Sequence, residues 1–571
     1  MKEPVIVTNP ERCRNCYRCV RECAVKAIRV KEGHVQVVPE LCIMCGSCVR
    51  ICPQKAKNVP SSRLDIIRAR DEGRKIVASV SPSAPAFFDM STFSDLEKAL
   101  KEIGFHAAEE TAVGCNIVAL AHREYFEKGS VPMPVITSTC PVVVNLIEQY
   151  NPDLIPHLAP IVSPMIAHAR LLAKRYGPDA YIVFIGPCLS KKKEMYGESI
   201  SNLIYAVMTF LGLQEWFVAM GIECKRSTAV MEPFPEKARL FAIEGGLLGT
   251  ADMSTDILDN KTIVASGLDA CHDVLGGIRT GQLNASLVEL LACKGGCVNG
   301  PAMAGLAGGV TLSRQKIIEY YTHKQPDLRI PRDDWPPLTR TYLDRREDVP
   351  EFSEEQIQEV LHRVNKFTPE DELNCGACGY PSCRQKAIAS LRGLAEVTMC
   401  IPYMRSRSES LRQVVMDVTP NSIIITDNDL IIRGMSPSAE RLFKCKLSEL
   451  EGKHLSRLIP VLDDFYYVRD TGQPIYARRR RIRENIIAEQ TVVQVEGQAL
   501  MVAILRDITE REGEREKFNA IREETLQRTR EVVSKQMRVA HEIAHLLGET
   551  TAESKTTFSH LAKLLQEDGD K

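Results

Sequence analysis

The chain has 571 residues, 44% apolar and 26% charged, with 73 basic against 74 acidic side chains and a formal net charge of −1. Such length calls for several domains, and such balance excludes a disordered chain and gives no reason to expect nucleic acid or an acidic membrane as the main partner. No N-terminal stretch has the basic, apolar, small-residue order of a signal peptide, so the expectation is a cytoplasmic protein whose twenty cysteines stay reduced and mark metal more than disulfides.

Residues 1–60 hold eight cysteines and little else that could build a core. Cys13, Cys16, Cys19 and Cys23 follow C-x2-C-x2-C-x3-C spacing, and Cys42, Cys45, Cys48 and Cys52 repeat it before Pro53. Three thiolates two residues apart wrap one cubane, and the fourth of each run reaches the other. One [4Fe–4S] cluster is therefore expected on Cys13, Cys16, Cys19 and Cys52, and a second on Cys42, Cys45, Cys48 and Cys23. Zinc is the competing reading, but it prefers separated C-x2-C pairs.

Residues 61–345 alternate apolar runs with helical patterns: 76–78, Val135–Ile136 and 181–185 read as strands, and 203–222 reads as a buried helix. Four cysteines stand here in Thr137-Ser138-Thr139-Cys140-Pro141, Gly186-Pro187-Cys188-Leu189-Ser190-Lys191 and Ala292-Cys293-Lys294-Gly295-Gly296-Cys297. The glycine pair lets backbone approach a bulky inorganic group, and Cys140 and Cys188 follow strands, where open α/β sheets place their sites. On spacing alone, four scattered buried thiols remain an alternative.

Over roughly residues 75–305 these segments resemble, in order, the three signature motifs of the [FeFe]-hydrogenases: T-S-C-C-P, M-P-C-x-x-K-x-x-E and E-x-M-A-C-x-G-G-C. The resemblance implies an H-cluster, with a [4Fe–4S] cubane on Cys140, Cys188, Cys293 and Cys297 and with Cys297 bridging to a two-iron subcluster that carries CO, CN⁻ and a dithiolate. Lys191 matches the lysine that pairs with an iron-bound cyanide, Glu194 and Glu289 match the motif glutamates, and 77–83 matches the strand and turn lining the dithiolate, with Ser81, Pro82 and Ser83 at the turn. The chain departs from the pattern at Thr139, where catalytic members carry a proton-passing cysteine. It departs again at Gly186 and Leu291, which replace methionines packed around the two irons, so a roomier pocket is expected. Residues 113–122, where catalytic members carry relay glutamates, contain no acid and offer Cys115, Asn116 and His122. The resemblance with these departures implies a retained cofactor and an impaired proton path.

Residues 324–350 are rich in proline and charge and read as a wrapping loop or linker. Residues 351–410 open with an amphipathic helix over 354–367. They then present Cys375, Cys378, Cys383 and Cys400, which resemble the four-cysteine cluster domain of anaerobic electron-transfer subunits and imply a third ordinary [4Fe–4S] cluster, with zinc as the alternative. Its place between the hydrogenase-like segment and the next domain implies an electron exit or a redox-sensing relay. Of the other cysteines, Cys115 alone has a site reading; Cys224, Cys271 and Cys445 are expected to be buried packing thiols.

Residues 411–510, with strands at 423–425 and 499–505 around a helix Pro437–Phe443, resemble a PAS domain; no ligand is assigned, and His454 is expected to be exposed. Arg478 to Arg481, with Arg483, read as a solvated strand or loop. In 511–571, Leu526, Val533, Ala540 and Leu547 recur every seven residues, which points to a short dimeric coiled coil broken by Arg530. His541-Glu542-Ile543-Ala544-His545 spells a zinc-protease motif without a protease around it, and also resembles a phospho-acceptor helix. Any phosphotransfer is expected to need another protein.

The expected fold is multidomain α/β and α+β: ferredoxin-like (1–60), [FeFe]-hydrogenase-like (61–345), four-cysteine (351–410), PAS (411–510) and signalling helix (511–571). The expected function is hydrogen or redox sensing with slow H2 activation. The expected partners are H2 and protons, ferredoxin or another redox carrier, a downstream kinase or phosphatase and a second copy through PAS and helix, with neither nucleic acid nor membrane. The alternatives are a catalytic ferredoxin-linked hydrogenase and an Fe–S electron-transfer or interaction protein lacking the two-iron group.

Overall fold

The computed structural model describes residues 5–129, 131–197, 203–226, 236–256, 258–259, 261–303, 308–322, 329–495, 497–547 and 557–563, with side chains left out at 408–413, 415 and 544–547. The chain forms two compact units, Met1–Met404 and Arg405–Lys571. Among the described residues no helix is long and apolar enough to cross a membrane.

The cysteine repeat at the front of the first unit is a structural repeat. Arg18–Glu22 and Ser47–Ile51 are short helices entered through left-handed residues, Tyr17 at φ 53° and Gly46 at φ 75°, and left through Cys23 and Cys52 in nearly identical extended conformations. Further left-handed residues recur at equivalent places, Asn15 with Met44 and Lys26 with Lys55. Such non-glycine positions are strained, and the tight loops that impose them turn the thiols inward. Antiparallel pairs Ile28–Lys31 with His34–Val37 and Val7–Thr8 with Lys57–Asn58 close the segment.

Behind it lie two parallel sheets. The first runs Ala107–Glu110, Ile76–Val80, Tyr181–Gly186, Ala206–Thr209; the second runs Thr262–Ser266, Leu287–Leu291, Val135–Ile136. Ile76–Val80, Tyr181–Gly186 and Leu287–Leu291 are buried at every position, as strands covered on both faces must be. The helix expected over 203–222 is instead the strand Ala206–Thr209 followed by the helix Phe210–Met220. Thr209 makes the break: its backbone is extended and its side chain accepts from Gly212 N, a capping contact that starts a helix.

The described part of the proline-rich stretch does wrap. Val162 N donates to Leu338 O, Arg345 N to Glu148 O, and Tyr342 Oη to Ala159 O at 2.9 Å. The helix expected over 354–367 covers Glu354–His362, begun by a Ser353–Gln356 capping box; left-handed Asn365 at φ 58° follows its end. Ile401–Val418 then carries the chain into the second unit.

That unit is a five-stranded antiparallel sheet in the order Ile432–Met435, Ser422–Asp427, Leu500–Asp507, Ile486–Gln494, Ile475–Arg483. The helix Pro437–Phe443 falls where the sequence puts it, capped by Ser436. The arginine run is a strand that is only partly solvated: Arg478 and Arg480 share the buried Asp464, and Arg479 pairs with Glu512. His454 is half-buried, its Nδ1 on Ser456. The helix Thr509–Leu547 ends the continuous chain; Leu526, Val533 and Met537 are its half-buried seam residues. Ala544, His545 and Leu547 fall outside the described side chains.

Candidate metal centres

Four strands of the two sheets end at one place. Val80 leads into Ser81, Pro82 and Ser83; Ile136 into Thr137–Cys140; Gly186 into Cys188; Leu291 into Cys293. The carboxyl ends of parallel strands thus bring together residues more than two hundred positions apart. The thiols of Cys140, Cys188, Cys293 and Cys297 lie close enough together that their neighbours help raise the pKa of Cys188, Cys293 and Cys297. Burial, then the neighbouring thiols, push Cys297 up to about 12, and at Cys188 burial, with help from Cys140, outweighs the nearby Lys191 and takes the thiol to about 11. A low-dielectric pocket disfavours thiolate, so this donor set needs a strong cation before it ionises, as iron supplies.

The other twelve thiols group in the same way. Cys19 faces Cys13, Cys16 and Cys52, and Cys23, Cys42, Cys45 and Cys48 face one another. The fourth cysteine of each run thus joins the other run. Cys375, Cys378, Cys383 and Cys400 line one small cavity. The donor chemistry of all four sets fits Fe–S clusters.

The three sets outside the strand-end site also have lysine beside them, which the sequence did not flag. Lys57, buried with Nζ donating to Thr8 Oγ1 at 2.6 Å, acts on both Cys19 and Cys48. Lys386, buried with Nζ donating to Val397 O, faces Cys378, Cys383 and Cys400. Lysines distant in sequence carry no spacing signal; only the fold reveals them as counter-charges to clustered thiolates.

Around the four-strand site, Lys191 Nζ donates to Glu194 Oε2 at 2.7 Å, and Arg340 Nη1 donates to Glu194 Oε1 at 3.0 Å. Lys191 also acts on Cys188 and Cys297, so an ammonium with a fixed anchor borders the thiols. Glu289 is buried and accepts from Leu247 N and Leu248 N; burial, against those two hydrogen bonds, raises its carboxyl to about 7. Ser81 Oγ and Ser83 Oγ lie 2.9 Å apart. Gly186 leaves no void: a Cβ there would stand 2.7 Å from Phe184 Cε1 and 3.1 Å from Ser81 Cβ. Phe184 fills the space, contrary to the expected roomier pocket, and Leu291 is buried.

Thr139 is buried next to Cys140. Cys115 is buried within electrostatic reach of Cys297 and Lys191. Asn116 instead donates to Glu236 at 2.8 Å. His122 lies behind Ser138: its Nδ1 is 2.7 Å from the Val118 carbonyl, which can only accept, so Nδ1 carries the hydrogen. Burial holds its pKa down at about 4. A second polar line was invisible in the sequence: Ser79 Oγ lies 2.7 Å from Thr111 Oγ1 and 2.8 Å from His168 Nδ1, and His168 Nε2 is 3.6 Å from Glu109. Of the remaining cysteines Cys271 is buried as expected, but Cys224 and Cys445 are half-buried.

Comparison with known proteins agrees with this geometry. Residues 74–301 match the family described as iron only hydrogenase large subunit, C-terminal domain; residues 5–53 match the 4Fe-4S dicluster domain; residues 371–402 match a family described as putative Fe-S cluster. The chain is 25% identical over 263 residues to the periplasmic [Fe] hydrogenase large subunit of Nitratidesulfovibrio vulgaris, covering 36% of this chain and 62% of that protein. It is 24% identical over 286 residues to iron hydrogenase 1 of Clostridium pasteurianum, covering 40% and 50%, so it spans less than two thirds of either relative. Over 87 residues, 15% of this chain and 18% of the other, it is 36% identical to the cytosolic Fe-S cluster assembly factor NAR1 of Kluyveromyces lactis. The strand-end site thus lies in a segment similar to the C-terminal domain of iron only hydrogenase large subunits, and the paired cysteine runs lie in a segment similar to the 4Fe-4S dicluster domain.

Proposed function

We propose that this protein is a hydrogen- and redox-responsive sensor with slow H2 activation. In this reading Cys140, Cys188, Cys293 and Cys297 would hold a [4Fe–4S] cubane, and Cys297 would also be the residue that holds an adjoining two-iron CO/CN⁻ group. That group, when bound, supplies the site at which hydrogen is activated. Lys191, anchored by Glu194, would offer an ammonium to a bound cyanide; Ser81, Pro82, Ser83, Gly186 and Leu291 would line the pocket, and Glu289 braces the short helix Gly246–Thr250 at Leu247 and Leu248. Two clusters of residues 1–60 and one on Cys375, Cys378, Cys383 and Cys400 carry electrons.

The observation that carries the reading is Thr139. A hydroxyl hydrogen-bonds but does not release its proton near neutral pH as a thiol does, and general acid–base transfer works best with a pKa near the operating pH. Behind it, neutral His122 stands where a relay acid is expected. Slow turnover suits a protein whose product is a change of redox state. The PAS-like segment 411–510 and the helix of 511–571 then pass that state on, as a homodimer, to a kinase or phosphatase, with ferredoxin as electron partner. Hydrogen evolution by the matured protein should be slow and should rise about 100-fold or more in Thr139→Cys. Fast evolution by the unmodified protein would refute the sensor in favour of a working hydrogenase.

A second reading has one specific support, the stretch similar to NAR1: an Fe–S assembly or electron-transfer protein with no two-iron group. It predicts that CO and CN⁻ vibrations never appear.

A further inference from the structure

The set Cys375, Cys378, Cys383 and Cys400 follows the hydrogenase-like segment in sequence, yet it packs on the cysteine-rich front of the chain. Val30 N donates to Leu394 O at 2.9 Å, and Gly33 N donates to Glu396 Oε1 at 3.2 Å. Tyr380, Leu394, Ala395 and Met399 share one apolar core with Val20, Ile28 and Val30. The Arg21 guanidinium ties two cysteine loops together, donating to Cys16 O at 3.1 Å and to Ala377 O at 3.4 Å. Gly379, at φ 96°, lies so close that a Cβ would stand 2.9 Å from Val20 Cγ1 and 3.1 Å from Arg21 N. Lys26, held by the Val20 and Arg21 carbonyls, faces both Cys23 and Cys378.

The opposite side of the same front segment faces the strand-end site. Arg50 Nη1 donates to Asn299 Oδ1 at 3.4 Å, Asn145 Nδ2 to Ile43 O and Lys193 Nζ to Cys42 O, both at 3.2 Å. A Cβ on Gly46 would stand 2.6 Å from Pro301 Cβ, and Cys45 is near enough to act on Cys293. The set Cys23, Cys42, Cys45 and Cys48 therefore has three neighbours: the strand-end thiols, the set of Cys13, Cys16, Cys19 and Cys52, and the set of Cys375 to Cys400.

We propose that the Cys23/Cys42/Cys45/Cys48 centre is a three-way electron junction, delivering electrons from the strand-end site across the Arg21–Gly379 contact to the Cys375–Cys400 centre in parallel with the Cys13-side outlet. Each step moves one electron: the donor cluster is oxidised by one, the acceptor reduced by one, and no bond or proton changes place. A chain with two outlets can feed a soluble carrier through one and report redox state through the other. The inference rests on the reading that the four thiol sets hold iron–sulfur clusters, and it does not require the two-iron group.

The test uses the full chain, anaerobically reconstituted, with iron, sulfide and zinc counted before dithionite reduction and low-temperature electron paramagnetic resonance. The expected result is a Cys375–Cys400 signal broadened by a reduced neighbour. That broadening should be lost in Gly379→Leu and weakened in the milder Arg21→Ala at unchanged iron content. A magnetically isolated signal in the unmodified protein, or equal broadening in both variants, overturns the junction. Iron short by one cluster with zinc in its place overturns the cluster reading instead, and the metal count tells the two failures apart.

Discussion

In the proposed sensor, the choice between sulfur and oxygen at position 139 would set how fast a proton reaches the buried pocket. Thr139 is as buried as a relay requires, so access is not what distinguishes it from a cysteine; acidity is. The gain in Thr139→Cys should therefore appear in turnover without a matching change in cluster content, measured as hydrogen evolved per iron. His122 gives a pH test of the same region. Its folded pKa of about 4 lies below the ordinary histidine value near 6.5. The stability that its neutral ring contributes is thus present above about pH 6.5 and is lost as pH falls towards 4. Anaerobic guanidinium unfolding should show a drop of about 2 kcal/mol from this group between pH 7 and pH 5, and His122→Gln should lack that share of it. The cluster cysteines were legible because iron demands fixed thiolate spacing. Lys57, Lys386 and the Ser79–His168 line were not, since a buried lysine or hydroxyl has no spacing rule and depends on which strands become neighbours.

Among the elements, the strands before Ser81, Cys140 and Cys188 were legible from their apolar runs. The segment 203–222 misled because a buried parallel strand and a buried helix are equally apolar, and the Thr209 cap that separates them is one residue in an apolar run. The loop Cys293–Cys297 shows what glycine is for. Gly296 has φ 99°, and a Cβ there would stand 2.5 Å from Ala242 O and 2.9 Å from Ile243 Cα. Both obstacles are backbone, so neither can swing away. Gly296→Ala should destabilise the first unit by about 2–4 kcal/mol and release iron from the strand-end site before the front clusters, read by iron count and visible absorbance. Retention of full iron content would show that the loop can shift after all.

In the whole molecule, the sequence order of the cysteine sets is not their order in space. The set nearest the second unit in sequence is anchored on the front segment through Arg21 and Gly379, a contact that no linear pattern reveals. The long helix Thr509–Leu547 carries its seam through Leu526 and Val533, with Arg530 between them. If that seam joins two copies, Arg530→Leu should tighten self-association about tenfold and Leu526→Glu should weaken it, as read by sedimentation; no change in either would remove the helix from the interface. Sensor, catalyst and two-iron-free protein share nearly all of this architecture and diverge at the pocket beside Lys191 and Cys297. Infrared spectroscopy after maturation with the two-iron precursor examines that pocket directly. The account predicts CO and CN⁻ bands that respond to hydrogen, with the cyanide bands displaced in Lys191→Ala; a matured protein with its cubane iron in place and no such bands would contradict it.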